Sequence, residues 1–164
     1  MASGDTLLIL PATCFIKPSS GGAVWGSRNQ QAHWSFDDTT DEVLYSIPLV
    51  MPEHYAGGGV TLEIETRAAT ATSGNFIVKA AFSRETGQDA DSDGFAAENL
   101  SSATATNGTS GVPTTATITF TDGADMDSVV AGDSFRLLVG RDADNGSDTM
   151  SGDLQIVSIH VKET

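Results

Sequence analysis

The sequence predicts an all-β fold, an antiparallel β-sandwich of jelly-roll type with about eight strands. Three observations carry that prediction. Apolar and polar residues alternate with a period of two through several segments. Clusters of Gly, Ser, Asn, Asp and Pro separate those segments. Helical patterning is confined to one short turn, Asp125–Val130, ahead of Gly132.

Each strand has its own signature. "TLLIL" (residues 6–10) is a short apolar run, and "HWSF" (33–36) places Trp34 and Phe36 on one face. "EVLYSIPLV" (42–50) aligns Val43, Tyr45 and Ile47, which predicts that Tyr45 is core. In "VTLEIETR" (60–67), Val60, Leu62 and Ile64 face inward against outward Thr61, Glu63 and Glu65. "NFIVKAAF" (75–82) puts Phe76, Val78, Ala80 and Phe82 together. "TATITFTD" (115–122) alternates most strictly, with Ala116, Ile118 and Phe120 opposite a row of threonines. "DSFRLLVGR" (133–141) aligns Phe135, Leu137 and Val139. "IVSIHVKE" (156–163) buries Val157, Ile159 and Val161 and turns His160 outward. "KPSSGG", "PEHYAGGG", "TNGTSGVP" and "RDADNGSD" read as turns and loops. The segment around 84–113 is a long loop, in which "SSATAT" (101–106) predicts an edge strand.

A length of 164 residues fits one domain, 1–164, with an N-terminal arm ahead of the sandwich. Asp and Glu outnumber Lys and Arg 22 to 8, giving a net charge of -14. The basic residues are scattered, so neither nucleic acid nor an anionic membrane is an expected partner. The lone Cys14, beside Phe15 and Ile16, excludes an internal disulfide and reads as a packed apolar residue. The start has no basic residues and only a four-residue apolar run, which predicts assembly in a cytoplasm. Without a secretion signal, the N-x-S/T triplets at Asn99, Asn107 and Asn145 read as ordinary loops.

Candidate chemistry is sparse. "GDSF" (132–135) resembles the nucleophile block of GDSL hydrolases, but Ser134 enters a strand and no D-x-x-H block follows. His33, His54 and His160 lack partners at zinc-ligand spacing. "AGGGV" (56–60) has no lysine and leads into a strand, which excludes a phosphate loop. "DADSDG" (89–94) opens like a calcium loop, with Asp89, Asp91 and Asp93 at positions 1, 3 and 5 and Gly94 at 6. Position 12 is Leu100, and Glu98 falls two residues early, so the strongest ligand is missing. An acidic loop, solvated or facing a subunit, is the favoured reading; a weak ion held with carbonyls and water is the other. No catalytic, cofactor-binding or metal residue is expected. Trp25, Trp34, Tyr45 and Tyr55 could form a sugar platform, but only Trp25 is expected to be exposed.

Two segments, "IPLVMPEHYAGGGVTLEIET" (47–66) and "MDSVVAGDSFRLLVGRDADNGSDTMSGDLQIVSIHVKE" (126–163), resemble small β-sandwich virion proteins of tailed bacteriophages. The shared elements are a strand ending in "MPEHYAGG", an "AGD" turn into a strand and a "DTMSGD" turn into the last strand. This resemblance covers roughly two-thirds of the chain. It implies a jelly roll, a homo-oligomer and most often a trimer. It also implies the major capsid protein as partner, and a place on the outer capsid surface as a non-enzymatic decoration or cement protein. The alternative is a carbohydrate-binding or adsorption module of a tail or fibre.

Overall fold

The computed structural model describes residues 4–164 and has an antiparallel β-sandwich, jelly-roll architecture. Fourteen strands form among these residues. They are β1 (Thr6–Pro11), β2 (Phe15–Ile16), β3 (Val24–Arg28), β4 (Gln31–Phe36), β5 (Glu42–Ser46), β6 (Leu49–Val50) and β7 (Val60–Ala68). They continue with β8 (Asn75–Phe76), β9 (Val78–Arg84), β10 (Asn99–Leu100), β11 (Thr104–Ala105), β12 (Thr114–Phe120), β13 (Ser134–Arg141) and β14 (Leu154–Glu163). One sheet runs β12-β7-β14-β4-β3, with β1 also on β14; the other runs β10-β9-β13-β5-β2, with β6 on β13. A small third ladder joins β11 to β8.

All eight expected strands are present, and the additional ones are short or edge pieces. β3 escapes the period-two pattern because an edge strand, "VWGSR", buries neither face cleanly. Pro48 has no N–H, so the ladder of "EVLYSIPLV" breaks there into β5 and β6. "SSATAT" yields only the two-residue β11, and β10 forms just before it.

The core lies where alternation predicted. Phe82 from one sheet meets Phe120 of the other edge-on, with centroids 4.9 Å apart, and stacks on Phe135 at 5.4 Å. Val60, Leu62, Ile64, Phe135, Leu137 and Ile159 are fully buried beside them. Two assignments are corrected. A bulge lies between Ile156 and Ser158, so Ile156 takes the inward place expected of Val157, which is half-buried. Tyr45 points outward, because Leu44 and Ser46 take the buried parity of β5. From Thr6 the chain is the sandwich strand expected of "TLLIL", paired along β14, and residues 1–3 of the expected N-terminal arm lie outside the described part.

The loop after β9 is ordered over the outer face of its sheet. Phe95 stacks on Tyr45 at 5.5 Å, and the Arg136 guanidinium lies 5.5 Å from the Phe95 ring. Ion pairs hold both ends: Arg136 to Glu85 at 2.6 Å and Lys79 to Glu98 at 3.3 Å. Lys79, Ala81 and Ser83, on the face opposite the core, are therefore buried as well. Gly140 is needed where β13 meets β5, because a Cβ there would lie 2.4 Å from the Glu42 carbonyl oxygen.

One end of the sandwich closes on Arg141, which has no exposed surface. Its Nε and Nη2 donate to both oxygens of Asp148, at 2.9 and 2.7 Å. Nη1 donates to the Gly152 carbonyl and Nη2 to the Met150 carbonyl, at 2.8 and 2.6 Å. Replacing Arg141 by Met leaves the Asp148 carboxylate buried and unpaired. The expected loss in urea unfolding is about 3–5 kcal/mol. Adding Asp148→Asn to that variant should recover part of it; a loss below about 1 kcal/mol in the single variant would refute the role assigned to the pair.

At the opposite end Tyr55 Oη accepts from the Gly59 N–H at 3.0 Å and donates to Asp122 at 3.2 Å. Burial, with Asp122 adding to it against the opposing Gly59 bond, pushes the phenol from 10.0 up to about 12. A raised pKa means the native state holds the proton longer than the unfolded chain does. The stabilisation is complete below pH 10 and is lost as pH rises toward 12. Thermal melts between pH 9 and 12 should show that fall, and Tyr55→Phe should flatten it.

Candidate functional site

Three places on the surface carry chemistry that a binding protein could use. The first is the acidic loop. Asp89–Gly94 is exposed throughout. Two of its carboxylates accept from the loop's own backbone: Asp93 Oδ2 accepts the Asp89 N–H at 2.8 Å, and Asp89 Oδ1 accepts the Asp91 N–H at 3.0 Å. The Asp89 carbonyl accepts from Asp93 and Ser92. These are the local turn bonds that Asp forms most readily.

Among the described residues, the acidic side chains that gather within 4.8 Å of one another are instead Asp41, Asp142 and Asp144, on two loops next to β5 and β13. Sequence spacing could not show this, since about a hundred positions separate them. Two of these groups already have protein partners. Asp41 pairs with Lys79 at 2.8 Å and Asp142 accepts from the Asn145 amide at 2.8 Å. Desolvation works to raise the Asp41 pKa, but its hydrogen bond to Lys79 and the neighbouring backbone N–H groups outweigh it and hold the carboxyl below its ordinary value.

The second place is the edge strand β3. Trp25 is 48% exposed on β3, the open edge of its sheet. Its ring meets Trp34 edge-on, with centroids 5.1 Å apart at 70°. Trp34 is core, as expected, and its Nε1–H is fixed to the Ala12 carbonyl at 2.9 Å. One indole is therefore braced by another that cannot turn. Val24 is exposed on the same strand, and Ile16 and Ile47 are exposed on β2 and just after β5 in the other sheet. The sugar-platform candidates thus separate: Tyr55 and Trp34 are buried, Tyr45 lies beneath Phe95, and Trp25 is open.

The third is the polar outer face of the β12-β7-β14 sheet, where Glu63, Glu65, Thr115 and His160 line a small hollow. Of the other sequence candidates, Ser134 opens β13, and its N–H donates to Thr86 Oγ1 at 2.8 Å. No histidine bonds its hydroxyl among the described residues. His33 is buried on the β3–β4 pair, and His54 is exposed. Cys14 is half-buried against the core.

No protein-family model and no curated protein matches the chain. Solved structures do match, over nearly its whole length. The CBM22-1 xylan-binding domain from Paenibacillus barcinonensis Xyn10C is 10% identical, with a TM-score of 0.50, and the match covers 99% of this chain and 96% of that one. The CBM36-1 domain of a multidomain xylanase, from the hindgut metagenome of Trinervitermes trinervoides, is 11% identical at a TM-score of 0.49, covering 96% and 97%. A carbohydrate esterase of the Shiga toxin-encoding bacteriophage phi24B is 14% identical at 0.41, covering 98% and 99%. At such identities the likeness is one of fold: a jelly-roll β-sandwich shared with carbohydrate-binding modules.

The hydrogen bonds of the acidic loop generate a prediction. Asp93→Ala, which removes the acceptor of the Asp89 N–H, should speed proteolysis between Thr86 and Gly94; Asp91→Ala should not. Melting of Asp91→Ala should match the parent in chelator and in millimolar calcium alike. A calcium-dependent rise in the parent that disappears in Asp91→Ala would make the loop a metal site.

Proposed function

We propose that the protein works by binding rather than by turnover, as a carbohydrate-binding adsorption module of a phage tail or fibre. The observation that carries this reading is Trp25: a half-exposed indole on an open sheet edge, in edge-on contact with a buried tryptophan. A rigid aromatic face loses little conformational freedom when a sugar ring stacks on it. The jelly-roll likeness to a xylan-binding domain supports the same class of ligand. The phage setting rests on the sequence resemblance, which also supports a homo-oligomer, most often a trimer, on the virion exterior. A net charge of -14 fits a surface that faces away from DNA.

A second reading, capsid decoration, is favoured by the same edge seen differently. The outer backbone groups of β3 lie at the end of its sheet beside exposed Val24, and exposed Ile16 lies on β2, the end strand of the other sheet. Such an edge suits a neighbouring subunit or the major capsid protein. In that case the bound protein would stabilise the assembled lattice by mass action.

Glycan-array screening followed by calorimetry separates the two. Under the first reading a saccharide binds, and Trp25→Ala weakens it by at least about tenfold, equivalent to roughly 1.4 kcal/mol. Should no glycan bind, while added protein raises the temperature at which expanded capsids release DNA, decoration replaces adsorption.

A further inference from the structure

A cleft of about 390 Å³ opens between the β3–β4 turn, the end of β7 and the loop ahead of β12. Arg28, Gln31, Arg67, Ser110, Val112 and Pro113 line it. In a chain with 22 acidic and only 8 basic residues, this cleft has two guanidinium groups and no carboxylate in its wall. The segments sit far apart in sequence, so no basic cluster appears along the chain.

Both guanidinium groups are positioned by the protein and incompletely used. Arg28 Nη1 donates to the Ala68 and Ala69 carbonyls, at 3.2 and 3.1 Å. Gly111 packs against that group so closely that a Cβ would lie 2.6 Å from Cζ, and its positive φ of 79° also requires glycine. Arg28 has no carboxylate at ion-pair distance among the described residues, and the remaining N–H groups of its fork are available to a ligand. Arg67 uses its terminal nitrogens on Gln31 and, at 3.2 Å, on Glu65. Its Nε is buried without a protein acceptor. Around these cations are an amide and a hydroxyl, from Gln31 and Ser110, and an apolar wall, from Val112 and Pro113. A carboxylate, several ring hydroxyls and an apolar C–H face are the three features of a hexuronate.

We infer that the cleft is a subsite for the carboxylate of an acidic sugar, a hexuronate within a longer saccharide. The inference rests on the carbohydrate-binding reading and specifies its ligand. Trp25 and Arg28 stand three residues apart on the edge strand β3, about 10 Å at the rise of a strand, and their side chains leave opposite faces of it. Because β3 is an open edge, a saccharide that crosses it can stack on Trp25 on one side and place its acidic unit at Arg28 on the other. The charge of -14 opposes an anion at long range, but at physiological salt that field is screened beyond about 8 Å, whereas the two arginines act at contact.

The test is calorimetry at physiological ionic strength with three probes: a galacturonate trisaccharide, a neutral xylose trisaccharide and triglutamate. The galacturonate should bind at least about tenfold more tightly than the neutral sugar, as a charge-assisted pair requires. Arg28→Gln should remove that preference, and Trp25→Ala should weaken both sugars. Arg28 also holds two carbonyls, so Val112→Glu serves as the second variant. It changes an exposed residue and should abolish the preference through repulsion alone. Equal affinity for the acidic and neutral sugars overturns the subsite while the carbohydrate-binding reading stands. Binding of neither sugar overturns both. Arg28-dependent binding of triglutamate without galacturonate overturns the sugar and makes the cleft a site for acidic peptide.

Discussion

The position of the loops at one end of the sandwich depends on a single buried cation. Arg141 stands at an inward-facing place on β13, where the parity of Phe135, Leu137 and Val139 calls for another apolar side chain. Its guanidinium instead binds Asp148 and the carbonyls of Met150 and Gly152. Asp148 in turn accepts the Ile77 N–H at 3.2 Å, where β8 ends and β9 begins. A hydrocarbon there could fill the same volume, but it could not dictate a loop conformation. A buried pair of this kind need not add net stability. What it does here is fix where residues 142–153 run, and with them Asp142 and Asp144, which face Asp41 and, through it, Lys79.

The sandwich itself was legible because alternation reports burial directly. A segment such as residues 115–122 has one wet face and one dry face, and the sequence writes both. Reading failed where a face is dry for another reason. Tyr45 looked like core because Val43 and Ile47 share its parity. In fact its apolar character serves Phe95, a residue fifty positions on whose approach no local pattern announces. Val157 was displaced by a bulge, which moves the inward parity by one residue without changing composition. The acidic triplet at 89–93 attracted notice because its members are close in sequence, whereas Asp41, Asp142 and Asp144 come together only through the fold. The Arg28–Arg67 cleft was invisible for the same reason. Trp25 alone was readable, since an indole between Gly22 and Gly26 has few neighbours to bury it.

The sandwich divides its labour. One sheet lays its outer face under a tethered loop and is packed on both sides along β9; the other leaves its outer face wet. The exposed aromatic and the cationic cleft both involve β3, the edge strand of the wet sheet, on opposite faces of it. Charge follows the same division, since the acidic residues populate loops and the open face while the cleft wall has none. Adsorption and decoration would therefore compete for one edge, and a chain that spends β3 on a neighbouring subunit cannot also offer it to a saccharide.

β14 comes after every strand it touches. It is the middle of its sheet, paired with β7 along its length and with β4 and β1 on its other side. Until the ten residues of β14 are available, β7 and β12 can form only a two-stranded ladder, and β3–β4 a hairpin, with nothing between them. During synthesis the nascent chain must therefore hold two half-built ladders apart, both with apolar flanks, for as long as the ribosome takes to supply their centre. Shortening the chain from that end would remove the keystone rather than fray a margin, so a frameshift near residue 154 should yield aggregate rather than a smaller folded protein.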